Sequence, residues 1–235
     1  MTRQVERKVR SYVLRQGRLT SGQASALKNH WASYGIDYNQ EGLDLDLEFK
    51  KRRPVSLDIG VGSGDTTLHM AKHHPENNYL AIEVHQPGVG SLIRRAQEAG
   101  LENIRVICHD VIEVLEYQLA DNSLDQVCIF FPDPWPKKRH HKRRLVNERF
   151  LDLLIPKLRA NARLHFASDW LDLAEHVLGV CEQHSGLSNL AGKGSYSPRP
   201  HWRPLTRFER RGAGLNHQVY DLCYALSHSK DRESN

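Results

Sequence analysis

The sequence predicts an α/β fold, with a mostly parallel central sheet, helices on both of its faces and a C-terminal antiparallel hairpin. Short apolar runs alternate with segments long enough to form helices, which is the pattern of βαβ units. The chain has 235 residues, 39% of them hydrophobic, which suffices for one domain with a substantial core. Near the C-terminus, two further strand-like runs flank a glycine-rich turn at Gly212 to Gly214. These runs predict the hairpin, which closes one edge of the sheet.

The individual elements follow from the apolar runs and from the residues that end them. A first helix is expected over 21–34, and the regular alternation begins at Pro54. Gly100 is expected to end a helix and Pro132 to end a strand, because these residues disfavour continuation of those structures. The predicted strands are 54–60, 78–84, 103–110, 123–132 and 162–168; the predicted helices are 65–74, 86–100, 111–119, 143–158 and 169–184; the hairpin strands are 206–212 and 217–226.

Charge is distributed unevenly along the chain, although the net charge is only +5. Residues 1–20 are rich in lysine and arginine and contain one glutamate, so we expect a basic arm there. One folded domain is expected over 21–228 and a polar tail over 229–235. No apolar run approaches the roughly 20 residues of a membrane span, and the N-terminus lacks the apolar core of a signal peptide. We therefore expect a cytoplasmic protein with no membrane partner.

The spacing of cysteines and histidines gives no support for a metal site. The four cysteines are widely separated and form no CxxC pair, so neither a disulfide framework nor a structural zinc site is expected. His69 and His73 lie four residues apart, but the zinc-protease motif requires glutamate where this chain has Met70. We expect no metal ion in the protein.

A glycine-rich loop follows the strand 54–60 and opens the next helix. Its glycines are Gly60, Gly62 and Gly64, in the sequence LDIGVGSGD. The dinucleotide fingerprint GxGxxG would need a further glycine where Asp65 stands, and the Walker A motif fails because no GK[ST] follows. The form G-x-G-x-G, with Asp58 just before it, is instead the pattern of class I S-adenosylmethionine enzymes.

Three carboxylates end neighbouring predicted strands, at the edge where open α/β sheets bind ligands. We expect Asp58 to attract the ammonium group of S-adenosylmethionine, Glu83 to accept hydrogen bonds from the ribose hydroxyls, and Asp110 to bind the adenine amino group. The alternative is that Asp58 and Asp110 only cap the helices that follow them. The three acids together with the glycines favour the cofactor.

The segment FPDPWP follows the predicted strand 123–132. Its three prolines prevent the backbone from continuing a strand or starting a helix, so they hold Asp133 and Trp135 on a stiff turn. A carboxylate and an indole presented together suit a nucleobase, which can stack on the ring and donate hydrogen bonds to the acid. The basic run 137–144, KKRHHKRR, comes next. Next to such a site, phosphate binding explains this run better than a merely solvated face does.

The combination LDIGVGSG, AIEVH, HD, FPDPWPKKRHHKRR, SDW and RPLTRFERRG closely resembles the bacterial tRNA (guanine-N7)-methyltransferases, which modify a guanine at position 46 in the variable loop. The resemblance covers nearly the whole chain. It implies a Rossmann-like class I methyltransferase fold, S-adenosylmethionine as the cofactor and tRNA as the partner. It leaves open whether the chain works as a monomer or a homodimer.

The resemblance also implies roles for particular residues. The catalytic residue is Asp133, which with Asp58, Glu83 and Asp110 makes up the acids that bind the cofactor. The implied substrate contacts are Lys137, Asp169, Thr206, Arg207, Phe208 and Glu209, and the implied RNA contacts are Arg139, His140, His141, Lys142, Arg143 and Arg144. The chain departs from the family at Arg207, where lysine is expected; a cationic contact is retained, but a compact ammonium is not.

Two other functions compete with this interpretation. Exocyclic-amine methyltransferases carry [DNS]-P-P-[YFW] after the corresponding strand, whereas this chain has one proline on each side of Asp133. A non-catalytic tRNA-binding subunit would be expected to have lost part of the acid set, whereas all four acids are present. Both observations favour the methyltransferase of guanine N7.

Overall fold

The computed structural model describes residues 10–13, 17–206, 209 and 218–227. A π-helical turn, Val114–Gln118, continues the fifth helix, and two 3₁₀ turns, Lys138–Arg143 and Ile155–Lys157, lie on either side of the sixth. In chain order the helices and strands are α1 (Ser21–Tyr34), β1 (Gly35–Ile36), α2 (Leu45–Phe49), β2 (Val55–Ile59), α3 (Asp65–His73), β3 (Asn78–Ile82), α4 (Gln86–Glu98), β4 (Ile104–Ile107), α5 (Val111–Glu113), β5 (Leu124–Phe130), α6 (Glu148–Leu154), β6 (Leu158–Ser168), α7 (Leu171–Gln183), β7 (Leu187–Asn189) and β8 (Tyr220–Leu226).

The strands form one sheet in the order β1-β4-β3-β2-β5-β6-β8-β7. Strands β1 to β6 run parallel to one another, and β8 is antiparallel to both β6 and β7. The chain reverses its winding direction at β2, which lies between β3 and β5. Such a reversal opens a crevice at the carboxyl ends of the strands, here called the carboxyl edge.

Two apolar clusters cover the two faces of the sheet, because alternate strand residues point to opposite sides. On one face, Leu57, Leu80 and Val127 pack with residues of α2, α5, α6 and α7. On the other, Tyr79 and Val106 pack with residues of α1, α3 and α4. The predicted α/β class, with helices on both faces and an antiparallel C-terminal edge, is confirmed.

Several predicted elements differ from the structure in detail. The helix predicted over 143–158 begins only after Asn147, whose side chain accepts a hydrogen bond from Phe150 N at 3.1 Å and caps α6. The strand predicted over 103–110 ends at Ile107. The short strand β7 was not predicted, and together with β6 it supplies the described antiparallel partners of β8.

The predicted hairpin strand 206–212 falls mostly on residues outside the described part of the chain. Of that segment the structure describes Thr206 and Glu209, and Glu209 has a helical conformation. The predicted tail 229–235 also lies outside the described residues, as do residues 1–9 and 14–16 of the predicted arm. Helix α1 begins directly after the predicted arm with a capping box, in which the Thr20 and Gln23 side chains each accept the other's backbone N–H.

Candidate active site

Two adjoining clefts lie at the carboxyl edge, beside the reversal point of the sheet. The larger, about 630 Å³, has Asp58 and Thr206 in its lining, and the smaller, about 210 Å³, has Glu83 and Asp110. Both clefts are lined by Gly60, His85, Phe131 and Asp133. The structure therefore brings the four sequence-predicted carboxylates to one composite cavity.

The glycine loop is held in its conformation from two sides. All three predicted glycines have positive φ angles, and at Gly64 an added Cβ would also lie 2.5 Å from Leu92 Cδ1 on α4. Glu83 binds the loop directly, since its Oε2 accepts a hydrogen bond from Gly62 N at 2.8 Å. Its Oε1 accepts from the backbone N–H groups of Val84 and His85, at 2.8 and 2.9 Å. This carboxylate fixes the loop as well as facing the smaller cleft.

The glycines keep the cavity open and the backbone accessible. A Cβ added at Gly60 would have no neighbouring atom within 4 Å, so a side chain there would extend into the space that the clefts occupy. At Gly88, on α4, a Cβ would lie only 2.4 Å from the carbonyl oxygen of Gly62. The close approach of α4 and the absence of side chains at the three glycines together form a cradle for a ligand.

Asp58 is buried at the end of β2 and is 3% exposed. Its Oδ2 accepts a hydrogen bond from Thr67 Oγ1 at 2.6 Å. Burial raises the pKa of Asp58 from its ordinary value of 3.8 to about 6; the Thr67 hydroxyl opposes this rise, and the charge of Glu83 adds to it. A buried carboxylate with a raised pKa gains most from a cationic partner, so this site suits the ammonium group predicted for it.

Asp110 serves as a helix cap and also faces the cavity. Its Oδ1 accepts a hydrogen bond from Ile112 N at 3.0 Å, which caps α5. The carboxylate also lies beside Tyr12: burial, together with the charge and hydrogen bonding of Asp110, raises the pKa of that phenol. Asp110 therefore caps α5, as the alternative predicted, and its position in the smaller cleft also allows the predicted contact with a ligand.

The segment after β5 turns sharply away from the sheet. Phe131 and Trp135 have φ angles of 52° and 47°, a region that residues other than glycine rarely adopt. Phe131 N donates to the carbonyl oxygen of Ala167 on β6 at 2.8 Å, which fixes the start of this turn. Asp133 follows as an exposed carboxylate that lines both clefts.

Trp135 connects the turn to the N-terminal segment and to the basic run. Its indole Nε1 donates a hydrogen bond to the carbonyl oxygen of Ser11 at 3.0 Å. The Arg143 guanidinium lies 4.8 Å from the centre of the ring, and the His140 ring meets it edge-on at 5.7 Å. These contacts answer a question that the sequence leaves open, the orientation of this indole.

The basic run does not present all of its cations to solvent. Lys137, Lys138, Arg139 and Lys142 are exposed. Arg144, in contrast, is 2% exposed, and its guanidinium binds the Asp172 carboxylate, the Asp172 carbonyl oxygen and the Pro134 carbonyl oxygen.

The structure gives Arg144 a different role from the RNA contact that was predicted for it. Its guanidinium is occupied by protein groups, and it anchors the basic run to α7. His140, His141 and Arg143 are partly exposed, so of the predicted RNA contacts Arg139 and Lys142 face solvent most fully.

The predicted substrate contacts Thr206 and Glu209 belong to a buried polar cluster. Thr206 N donates to Glu209 Oε2 at 2.7 Å and Glu209 N donates to Thr206 Oγ1 at 3.2 Å, which is a reciprocal capping arrangement. The fully buried Arg203 binds both oxygens of Glu209, at 2.7 and 2.8 Å, and both oxygens of Asp221. Thr206 lines the larger cleft, whereas Glu209 is turned toward Arg203.

Ion pairing and hydrogen bonding, more than burial, set the pKa of Glu209 in this cluster. Burial would raise the pKa of Glu209, but its bonds to Arg203 and Thr206 outweigh burial and hold that pKa below its ordinary value. Asp221 also accepts a hydrogen bond from His165 Nε2 at 2.7 Å, and burial lowers the pKa of His165. The Arg203 guanidinium stacks near the rings of Phe130 and Phe131, at 5.6 and 5.9 Å, so the cluster supports the wall that carries Asp133.

The remaining predicted substrate contacts have different outcomes. Lys137 and Asp169 are exposed residues that follow β5 and β6, near the carboxyl edge. Arg207 and Phe208 lie outside the described residues. Within the described part of the chain, no group of three or more metal-binding side chains occurs, and no helix has the length and apolarity to cross a bilayer.

Sequence reasoning missed three residues that shape the site. The sequence predicts Phe131 only as part of the end of a strand and Tyr12 only as part of a basic arm. It assigns no role to Arg203, although an aspartate in the otherwise apolar run around Asp221 is a signal that a buried partner exists. The spacing Thr206-x-x-Glu209 likewise matches a capping box and predicts that these two side chains bind each other.

Comparison with known proteins identifies relatives along nearly the whole chain. A family model described as "Putative methyltransferase" matches residues 52–222. The tRNA (guanine-N(7)-)-methyltransferase of Photobacterium profundum is 48% identical over 218 residues, which cover 93% of this chain and 89% of the relative. The protein of the same name from Vibrio cholerae is 50% identical over 221 residues, covering 94% and 92%.

Solved structures share the fold at much lower identity. The 16S rRNA methyltransferase KamB aligns with a TM-score of 0.59 at 16% identity, covering 80% of this chain and 96% of its own. A SAM-dependent methyltransferase from Aquifex aeolicus aligns with a TM-score of 0.52 at 14% identity, covering 87% and 98%.

Proposed function

Because the chain belongs to the tRNA (guanine-N7)-methyltransferases, we propose that its composite cavity binds S-adenosylmethionine and that it methylates N7 of the guanine at position 46, in the tRNA variable loop. The observation that carries the assignment of the site is the convergence of Asp58, Glu83, Asp110 and Asp133 on two adjoining clefts. Four acids around one cavity favour a cationic ligand and disfavour a phosphate.

The cavity fits the proposed cofactor in shape and charge. Gly60 leaves room for a ligand, and within the described part of the chain the group that donates to the buried Asp58 is the neutral hydroxyl of Thr67, not a cation. We assign the amino acid portion of the cofactor to the larger cleft and the adenosine to the smaller one, beside Glu83 and Asp110. When bound, S-adenosylmethionine supplies an electrophilic methyl group on a positively charged sulfur.

The main task of the protein is to position guanine N7 against the methyl group of the cofactor. Guanine N7 carries a lone pair and no proton, so no general base is needed to expose the nucleophile. Asp133 lies where the two clefts meet and can accept hydrogen bonds from the N–H groups of the guanine. The methylated ring is cationic, so the same carboxylate offsets positive charge as it develops. We therefore assign to Asp133 the orientation of the base and electrostatic stabilisation, and no obligatory proton transfer.

The basic run supplies the contacts to the RNA backbone. Its exposed cations lie on the 3₁₀ turn Lys138–Arg143, directly after the FPDPWP segment, and Arg144 fixes that turn against α7. We propose that Arg139 and Lys142 bind phosphates, with Lys137 nearer the base. Asp169, Thr206, Arg207, Phe208 and Glu209 complete the proposed substrate side, with Glu209 acting through the position of Thr206.

The deciding experiment is a methyl-transfer assay with purified protein, unmodified tRNA and isotopically labelled S-adenosylmethionine, followed by mass spectrometry of the nucleosides. We expect N7-methylguanosine from the variable loop, and no product from a tRNA in which the target guanine is replaced by adenine. Methylation of an exocyclic amine would refute the proposal in favour of the first alternative. Tight tRNA binding without methyl transfer would identify a non-catalytic subunit.

The protein is proposed to act in the cytoplasm, where tRNA is abundant. The thiols of Cys108, Cys128, Cys181 and Cys223 are all free, which accords with a reducing compartment.

A further inference from the structure

Trp170 is an exposed tryptophan at the carboxyl edge. It lies between β6 and α7, is 43% exposed, and is followed by Leu171, which is 45% exposed. The other tryptophans have partners: Trp31 Nε1 donates to Asp37 Oδ1 at 2.9 Å, Trp135 binds Ser11, and Trp202 packs against His165 at 5.1 Å. Among the described residues, the indole of Trp170 makes no comparable hydrogen bond or ring contact. Its apolar surface therefore lacks a partner within this part of the chain.

Trp170 follows β6 at the position that corresponds to Asp133 after β5. The two strands are parallel neighbours, and Phe130 is in register with Ala167. Asp133 and Trp170 are each the third residue after that pair, so both side chains leave the sheet at the same edge. Arg144 joins the two segments beyond the strands: its guanidinium binds the carbonyl oxygen of Pro134, next to Asp133, and the carboxylate of Asp172, two residues after Trp170. Trp170 therefore lies on the side of the carboxyl edge where the target base is proposed to bind.

The exposed cations of the basic run lie next to the same helix start. Arg144 donates to the carbonyl oxygen of Asp172 at 3.3 Å and also binds its carboxylate. This contact brings the 3₁₀ turn Lys138–Arg143 to the first turn of α7, two residues after Trp170. An aromatic ring next to cations is the arrangement that binds unpaired RNA, because the cations hold phosphates while the ring stacks on a base.

We infer that Trp170 stacks on an unpaired nucleobase of the RNA substrate, next to the guanine held at Asp133. The inference rests on the proposed function and adds a second base-binding position to it. A guanine whose N7 must reach the cavity leaves its stack in the folded tRNA, which exposes the face of a neighbouring base. The occupant is a base and not a phosphate, because the exposed surface of Trp170 and Leu171 is apolar.

A second copy of the chain is the competing occupant of this surface. Stable protein interfaces bury about 800 Å² on each partner, far more than two partly exposed side chains provide. Asp169 and Asp172, which flank Trp170, are exposed, but Asp172 is paired with Arg144. The exposed cations of the adjoining 3₁₀ turn favour a polyanion over a copy of the same basic chain. RNA is therefore the partner that the local charge selects.

The test compares three variants of the full-length protein: Trp170→Ala, Trp170→Phe and Leu47→Ala. Leu47, on α2, is 74% exposed and serves as the matched control. Its helix lies near the amino end of β4, since Arg105 Nε donates to the Glu48 carbonyl oxygen at 2.9 Å. Binding of an unmodified tRNA transcript and of S-adenosylmethionine is measured for each variant, together with thermal stability and KM for tRNA.

We expect Trp170→Ala to bind tRNA about tenfold more weakly and to have a correspondingly raised KM for tRNA. Trp170→Phe recovers most of the loss because it keeps an aromatic face. Cofactor affinity, melting temperature and the salt dependence of tRNA binding stay at wild-type values, since no charge is removed. Leu47→Ala behaves as wild type throughout.

Two results would overturn the inference. The first is tRNA affinity of Trp170→Ala within about twofold of wild type. The second is a wild-type protein that sediments as a dimer and a Trp170→Ala variant that sediments as a monomer, which would assign the surface to a second copy of the chain. Failure of the proposed function is recognised separately, as wild-type protein that binds tRNA without forming N7-methylguanosine.

Discussion

The carboxylate of Glu83 accepts a hydrogen bond from the backbone nitrogen of Gly62 at 2.8 Å, which ties the end of β3 to the glycine loop after β2. One side chain thus faces the smaller cleft and also maintains the loop that lines the larger one. Any substitution at this position changes both the ligand contact and the shape of the cradle. The two effects can be separated by comparing substitutions.

We expect Glu83→Ala and Glu83→Gln both to weaken S-adenosylmethionine binding. Alanine removes all the contacts of the Glu83 carboxylate. Glutamine replaces one acceptor oxygen with an NH₂ donor, and in either orientation of the amide this NH₂ group faces a backbone N–H group that it cannot accept from. A loss of about tenfold or more is expected for glutamine, because a buried donor is then left unpaired. Isothermal titration calorimetry checks the affinity, and unchanged binding in both variants would remove Glu83 from the proposed site.

Cofactor binding should depend on pH through Asp58. Its pKa of about 6 means that the carboxylate must lose a proton before it can pair with an ammonium group, so affinity falls as the pH drops below that value. At about pH 5 we expect roughly tenfold weaker binding than at neutral pH. Calorimetry over this range measures the effect, and Asp58→Asn serves as the control that should bind weakly at every pH.

Asp58 should also make the stability of the fold depend on pH, in the opposite direction: as the pH rises, cofactor affinity increases and stability decreases. The native state of the free protein holds the Asp58 proton more tightly than the unfolded chain, whose pKa is near 3.8. The contribution of this residue therefore becomes less favourable as the pH rises from about 4 to about 6, by on the order of 3 kcal/mol in all. Urea denaturation of wild type and Asp58→Asn across this window tests it: a difference in stability that does not change with pH would contradict the expectation.

Asp133→Asn should reduce turnover even when S-adenosylmethionine is saturating. The substitution keeps the shape of the side chain and removes the charge that is proposed to offset the developing cation. We expect kcat to fall by about 100-fold, in the range found for single electrostatic contacts in active sites. Single-turnover methyl transfer measures the loss. A normal rate with normal cofactor binding would show that the charge of Asp133 has no catalytic role.

Two arginines of the basic run should behave differently when changed to alanine. Arg139 is exposed, so its removal should weaken tRNA binding, lower the salt slope by about one and leave stability unchanged. Arg144 is buried against Asp172 and Pro134, so its removal should lower stability by about 2 kcal/mol. Thermal melting and filter binding at several salt concentrations distinguish the two. Equal melting temperatures for both variants would contradict the anchoring role of Arg144.

The buried cluster around Arg203 should contribute strongly to stability. Glu209→Ala removes one acid from a fully buried guanidinium, and such removals cost about 3 to 5 kcal/mol. Since the pKa of Glu209 is lowered in the folded protein, its stabilising effect is present above its unfolded pKa and is lost as the pH falls below it. Urea denaturation gives the magnitude, and Glu98→Ala, at an exposed position on α4, is the matched control.

Sequence reasoning located the acids and glycines because their positions depend on local periodicity. Asp58, Glu83 and Asp110 follow apolar strands, and the carboxyl ends of parallel strands must meet at one edge. The same reasoning could not separate Arg144 from Arg139, since both belong to one basic run. The carboxylate that anchors Arg144, that of Asp172, lies 28 residues away on α7. It could not orient Trp135 either, because the acceptor Ser11 lies 124 residues away.

By itself, the sequence determined the α/β class, the glycine loop, the set of four acids and the position of the cationic run, because these depend on residue type and on spacing within single elements. The tertiary structure decided which of those charges face a ligand and which face the protein. Arg144 and Arg203 are buried in ion pairs with Asp172 and Asp221, which lie on other elements, while Asp133 and Arg139 remain exposed. The physical reason is that a charge is buried only where a partner from elsewhere in the chain compensates for its lost hydration, and chain neighbours do not reveal that partner.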